Sequence, residues 1–139
     1  MDIKRICTKI MRRYGTNNPF TLADKMNIIV RYDNLGSTWG FFFTYKRTKI
    51  ININSAISEE LQRFTCAHEL GHTLLHKDIS TPFLKVHTLF SIDKIERQAN
   101  TFAVELLMPD ELIRQYEGLP LSDISYTLGI PLGMEVLKR

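Results

Sequence analysis

Three of the chain's four histidines fall within nine residues, in the segment Phe64–Thr65–Cys66–Ala67–His68–Glu69–Leu70–Gly71–His72–Thr73–Leu74–Leu75–His76. Four residues advance a helix by about 400°, so His68 and His72 sit about 40° apart, one turn up the same face. That spacing lets two imidazoles converge on one ion, and neutral imidazole nitrogen is a preferred zinc ligand. Glu69 stands about 100° round the cylinder from His68. It can lean over the ion without ligating it and take a proton from a water held there, which is the His-Glu-x-x-His arrangement of zinc proteases. The bland alternative is a surface helix carrying two ordinary histidines. Phe64, Ala67, Leu70, Leu74 and Leu75 make the helix apolar on several sides, so it belongs near the centre of the fold. Buried there, two imidazoles and a carboxylate need partners. Gly71 lowers helix stability by about 1 kcal/mol relative to alanine, which points to a close approach by another backbone.

A catalytic zinc takes three protein ligands and keeps one position open. Four residues compete for the third place. Asp78 follows His68 by ten positions, but the glycine that would turn the chain back under the ion is replaced by Leu75. His76 lies about 12 Å along the helix from His68, too far to share the ion, and reads as a rim, supporting or substrate-contacting residue. His87 falls in a loop and has no defined place. Glu96 is the strongest. On a wheel of about 100° per residue, Ile92, Ile95, Ala99, Phe102, Ala103, Leu106 and Leu107 share one arc, and Glu96 falls inside it. Lys94, Arg97, Gln98, Thr101 and Glu105 fall outside. A carboxylate on a buried face needs a metal or a counter-charge, so the competing reading is a salt bridge to a buried Arg or Lys. Asn100 follows one turn after Glu96 and can orient a metal-bound histidine.

These residues must be held by their elements. Ile3, Ile6, Cys7, Ile10 and Tyr14 form the apolar stripe of an N-terminal helix, whose other faces carry Lys4, Arg5, Lys9, Arg12 and Arg13. Gly15 ends it, and Thr21 caps a short helix through Met26. Ile28–Tyr32, Trp39–Tyr45 and Ile50–Asn54 read as strands, the last two joined by a hairpin turn at Tyr45–Thr48. Ser55 or Ser58 caps a helix to about His76. Lys77–Ser91 reads as a loop or lid. Ser91 caps a second long helix to Met108, Pro109 opens a third, Leu121–Leu128 forms a fourth, and Met134–Arg139 follows a break at Pro131. The expected class is α+β: a small three-stranded sheet with an N-terminal helix, then a mostly helical half carrying the His-Glu-x-x-His helix and a second ligand helix. Residues 1–139 read as one domain, with helix and sheet in 1–54, active-site helices in 55–108 and C-terminal helices in 109–139.

Composition narrows the class further. The 139 residues are 44% hydrophobic and 24% charged, with a formal net charge of +3. That balance does not by itself imply nucleic-acid binding, and the basic first helix reads as a solvated face. No apolar run approaches the ~18 residues of a membrane helix, and no signal peptide follows Met1–Arg5, so a cytoplasmic location is expected. Two cysteines make no disulfide framework and no thiolate zinc site. Cys7 and Cys66 both read as core residues. No phosphate-cradling glycine loop, serine nucleophile elbow or Cys-x-x-Cys pair occurs.

His68–Glu69–Leu70–Gly71–His72–Thr73–Leu74–Leu75–His76, followed by Glu96–Arg97–Gln98–Ala99–Asn100–Thr101–Phe102–Ala103 and Leu106–Leu107–Met108–Pro109, resembles the ImmA/IrrE metallopeptidases. The resemblance implies His68, His72 and Glu96 as zinc ligands and Glu69 as general base. It also implies a protein substrate inside a bacterial cell. Several family members cleave a helix-turn-helix repressor and so switch on a mobile element, prophage or stress regulon. The tail from Leu121 resembles a shortened form of the family's helix-turn-helix-like end. A rival reading keeps the fold and drops the chemistry: a non-cleaving binding protein that sequesters a regulator. Direct DNA binding and membrane association are not expected. The oxyanion donor stays open among Tyr32, Tyr45, His76 and His87. An exposed sheet edge is expected to hold the substrate as an added strand, with Ile50–Asn54 nearest in sequence to the active helix.

Overall fold

A computed structural model of the chain describes residues 1–76 and 89–139. Asp78, His87 and most of the Lys77–Ser91 lid reading therefore lie outside the described residues. Helix α1 (Ile3–Tyr14) begins where the Asp2 side chain accepts the Arg5 N–H at 3.1 Å, and ends at Gly15 in the left-handed region, φ 70°. Its stripe packs as the periodicity predicts: Ile3 and Cys7 are buried, with Ile6, Ile10 and Tyr14 packed against the same core. Helix α2 spans Pro19–Lys25. Its cap is not Thr21 but Asn18, whose Oδ1 accepts the Phe20 and Thr21 N–H groups. Pro19 suits the first turn because its missing N–H would have no partner there.

Strands β1 (Ile29–Asp33), β2 (Gly40–Tyr45) and β3 (Thr48–Asn54) form a mixed sheet in the order β1-β3-β2. β1 runs parallel to β3, and β2 antiparallel to it. The β2–β3 hairpin turns on Lys46 and Arg47, both at positive φ, 48° and 67°. That is the twist a two-residue turn demands, met without the usual Asn-Gly pair. The topology corrects one expectation. Ile50–Asn54 lies at the centre of the sheet, bonded on both sides, and offers no edge to a substrate. Among the described residues, β1 and β2 are the outer strands.

Helix α3 (Glu59–Leu75) starts at Ser58, whose Oγ accepts the Leu61 N–H at 3.2 Å, with Glu59 and Glu60 in the favourable first turn. Helix α4 (Leu89–Leu107) begins two residues before Ser91, so that serine lies inside the helix and does not cap it. N-cap preference amounts to only about 1 kcal/mol and does not bar serine from a first turn. Helices α5 (Asp110–Arg114) and α6 (Leu121–Thr127) and a 3₁₀ turn (Met134–Leu137) complete the chain. The core runs between the sheet, α3 and α4, through Phe42, Ile51, Ile53, Phe64, Leu70, Phe102 and Leu106. A Cβ at Gly71 would stand 3.0 Å from the Phe102 ring, so the glycine is what lets α3 and α4 lie this close. Among the described residues no helix is long and apolar enough to cross a membrane.

A second correction concerns α4. Residues 102–108 are all buried, including Glu105, which its own wheel places outside the apolar arc. Lys138 and Arg139 cover that side. The Lys138 ammonium reaches Glu105 Oε1 at 2.6 Å and Asp110 Oδ1 at 2.8 Å, and the Arg139 N–H donates to Glu105 Oε2 at 2.8 Å.

Candidate metal centre

α3 presents His68 and His72 toward α4, and α4 answers with Glu96. His68 Nε2 lies 3.0 Å from Glu96 Oε2, and His72 Nε2 lies 2.8 Å from Glu96 Oε1. One ligand atom from each of the three falls within 4.8 Å of the others. The histidine rings meet edge to face, 4.7 Å between centroids, as the one-turn spacing requires. Phe42 of β2 stacks on His72 at 5.5 Å, walling the site on the sheet side. The sequence places Phe42 in sheet packing; its ring also forms this wall.

The donor set fits a zinc ion. A nitrogen, nitrogen, oxygen triad is a common three-ligand catalytic set. The outer nitrogens support it. His68 Nδ1 is 2.7 Å from Asn100 Oδ1, an acceptor, so Nδ1 carries a proton and Nε2 is left to face Glu96. An imidazole nitrogen this close to a carboxylate oxygen is stable only with a proton or a cation between them. Asn100 thus stands where the helical spacing puts it.

Charge is arranged to match. Burial holds His72 below its ordinary range, and the charges of His68 and His76 push the same way against the pull of Glu96. Burial also works to lower His68, but its hydrogen bond to Glu96 and the charges of Glu69 and Glu96 leave it raised. Burial alone would raise Glu96; the hydrogen bonds from both histidines overcome this and hold it well below the usual carboxylate range.

Glu69 is buried one residue after His68, and among the described residues its Oε2 has no hydrogen-bond partner. Burial pushes its carboxyl up to about 7, with His68 opposing and Glu96 adding to the rise. An unsatisfied buried carboxylate oxygen is uncommon and suits a group that will accept a proton. Both cysteines are buried. Burial raises the Cys7 thiol to about 12 and raises Cys66 as well, so neither supplies a thiolate.

His76, open between several roles on the sequence, is buried at the end of α3 and bonds His72, Nδ1 to Nδ1, at 3.1 Å. Its Nε2 lies 2.7 Å from Gln98 Oε1. Gln98 escapes a wheel analysis because it lies outside the apolar arc; only the proximity of α3 gives it a role. Tyr32 and Tyr45 are 49% and 59% exposed on β1 and β2. Among the described residues no hydrogen bond ties either to the triad.

The chain is similar to several known proteins. A family model described as the IrrE N-terminal-like domain matches residues 23–134. An immunity region protein of Bacillus phage phi105 is 45% identical over 139 residues, covering 98% of this chain and 88% of that protein. The metallopeptidase ImmA of Bacillus subtilis is 35% identical over 122 residues, covering 85% of this chain and 69% of that one. The radiation response metalloprotease IrrE of Deinococcus deserti is 41% identical over 68 residues, covering 46% of this chain and 24% of its own. A solved Mycobacterium tuberculosis transcriptional regulator superposes with a TM-score of 0.65 over 99% of this chain and 46% of its own, at 15% identity, a likeness of fold alone. The extent of the family match and the near full-length relatives agree with the helix-pair geometry: the chain belongs to the ImmA/IrrE family of metallopeptidases.

Proposed function

We propose that this chain, taken as one domain over residues 1–139, is a zinc-dependent endopeptidase that acts in the cytoplasm and cleaves a helix-turn-helix repressor. One observation carries the reading: His68, His72 and Glu96 converge atom to atom beside a buried Glu69 oxygen that has no partner among the described residues. A scaffold that only sequesters a regulator has no use for that oxygen. The phage relative is an immunity region protein by name, and the Bacillus subtilis relative a metallopeptidase, which together favour a regulator of a mobile element as target.

Zinc bound at the triad would supply Lewis-acid chemistry, lowering the pKa of a water toward about 7 and polarising the scissile carbonyl. His68 and His72 would hold it through Nε2, and the Glu96 carboxylate would complete the ligand set. Glu69 takes the proton of the attacking water and hands it to the leaving amine as the C–N bond breaks. The substrate lies beside the outer edge of β2, the strand whose Phe42 stacks on His72. The Asn54 N–H bonds Trp39 O at 2.8 Å, so by antiparallel alternation the N–H groups of Gly40 and Thr44 point away from β3, toward that edge.

The test is purified protein with a candidate helix-turn-helix repressor, wild type against Glu69→Gln. Loss of full-length regulator with wild type alone supports the peptidase. Equal loss in both, or stable complex formation without cleavage, overturns it in favour of sequestration. Metal content separates the ligands: undiminished zinc in Glu96→Ala removes Glu96 from the set.

A further inference from the structure

We propose that His76 and Gln98 are positioning residues that fix the tautomer of His72. The inference rests on the metal reading above and adds two residues to it. A histidine that ligates through Nε2 must carry its proton on Nδ1. The His72 Nδ1 bonds the Nδ1 of His76, 3.1 Å away, so His76 must accept there. A neutral imidazole that accepts at Nδ1 carries its proton on Nε2. His76 Nε2 lies 2.7 Å from Gln98 Oε1, a carbonyl oxygen that can only accept. Each link is consistent with the next: His72 Nδ1–H donates to His76, and His76 Nε2–H donates to Gln98.

An imidazole-to-imidazole bond has no inherent direction, because either ring can donate. The direction is set at the far end by Gln98. His68 reaches the same state in one step, through Asn100. α4 therefore supplies one ligand, Glu96, and both terminal acceptors, Gln98 and Asn100. The local backbone makes the longer chain possible. His76 is the C-cap of α3, its N–H bonded to His72 O at 2.9 Å, and its backbone leaves the helix at φ −129°, ψ 58°. The ring is thus held over His72 instead of continuing along the helix face. With both nitrogens engaged, His76 is neither a ligand nor the oxyanion donor.

The experiment compares wild type, Gln98→Met and Gln98→Glu, loaded with zinc alone. Zinc affinity is measured by chelator competition and the imidazole tautomers by nitrogen-15 NMR. Methionine keeps length and removes the acceptor; glutamate keeps an acceptor that cannot donate. The proposal expects zinc affinity to fall about 10–100-fold in Gln98→Met and to hold in Gln98→Glu. It also expects His76 to carry its proton on Nε2 in the zinc-loaded wild type. A packing role alone predicts the reverse order, with the apolar isostere tolerated and the added charge harmful. Wild-type affinity in Gln98→Met, or a His76 proton on Nδ1, overturns the proposal; the tautomer measurement needs no variant and does not depend on one folding. If folded wild type takes up no zinc, the metal reading itself fails. If it binds zinc with no response at position 98, the chain through His76 fails and the metal reading stands.

Discussion

Helix α4 carries two carboxylates that the fold draws inward, Glu96 and Glu105, and their surroundings answer the same need in opposite ways. Glu105 is met by a cation of the protein, the Lys138 ammonium at 2.6 Å, with side-chain exposures of 5% and 1% for the lysine and the glutamate. The Arg139 N–H fills its second oxygen. Glu96 is met by two imidazole nitrogens whose opposite faces are already committed to acceptors. One end of the helix is electrostatically closed; the other offers the candidate cation site. The salt bridge that competes with metal binding as an explanation of Glu96 does exist on this helix, nine residues away, where it serves stability.

The largest effects come from exchanging the two roles. Glu96→Ala should abolish zinc uptake and peptide cleavage while leaving the protein folded, read by metal analysis and circular dichroism. Glu69→Gln should retain zinc and lose about 10²–10⁴-fold in cleavage rate. Glu105→Ala should do the opposite: zinc uptake persists, but unfolding free energy falls by about 3 kcal/mol in a urea titration. That is the low end of the cost of orphaning a buried charge, because Lys138 keeps Asp110. Should Glu105→Ala lose zinc and keep its stability, the contrast between the two ends collapses. The double substitution Glu105→Met with Lys138→Met sharpens it further. Replacing a buried pair by apolar groups of similar volume is often near neutral, so stability should largely return.

The contrast also marks how far the sequence could be read. His68, Glu69 and His72 are local in the chain, and Glu96 stands out because it interrupts an apolar arc; short-range periodicity suffices to single out all four as candidates. Asn100 follows from Glu96 by one turn. Glu105 is misjudged by the same method, since its burial comes from Lys138 and Arg139, which no period of α4 contains. Gln98 fails for a related reason: its partner lies on another helix. Hydrophobic alternation finds the strands but not their order, so the central place of β3 had to come from the pairing itself. Asn18 displaces Thr21 as a cap because Pro19 favours the first helical position, a signal present in the sequence and outweighed there by the threonine.

Gly71 tests the packing that brings the two helices together. A Cβ there meets the Phe102 side chain at 3.0 to 3.1 Å, a contact that must open by a few tenths of an ångström. Gly71→Ala gains about 1 kcal/mol of helix propensity and loses about 1–3 kcal/mol to overpacking. A net destabilisation of about 1 kcal/mol is expected, with weaker zinc binding because α4 carries Glu96. A more stable variant with unchanged zinc affinity would show that the close approach is not what sets the ligand geometry.

The smallest expected effect is a pH dependence confined to the closed end. Hydrogen bonds from Lys138 and then Lys4 hold the Asp110 carboxyl down to about 2, against an ordinary 3.8. A carboxyl depressed in the folded state contributes stability above its unfolded pKa and loses it as pH falls through the folded one. The contribution is therefore complete above about pH 4 and gone near pH 2. Burial opposes the Lys138 charge, but its hydrogen bonds to Asp110 and Glu105 leave the ammonium raised above its ordinary 10.5, so its contribution is present below that value and fades above it. Asp110 is 44% exposed on its side chain, so solvent screens the pair and the effect is small. Asp110→Asn should flatten the decline in stability between pH 4 and 2, measured by urea unfolding across that range, and leave zinc affinity at neutral pH unchanged. An acid limb identical to wild type would mean that Asp110 adds nothing to the cluster and that Glu105 and Lys138 close that end of α4 alone.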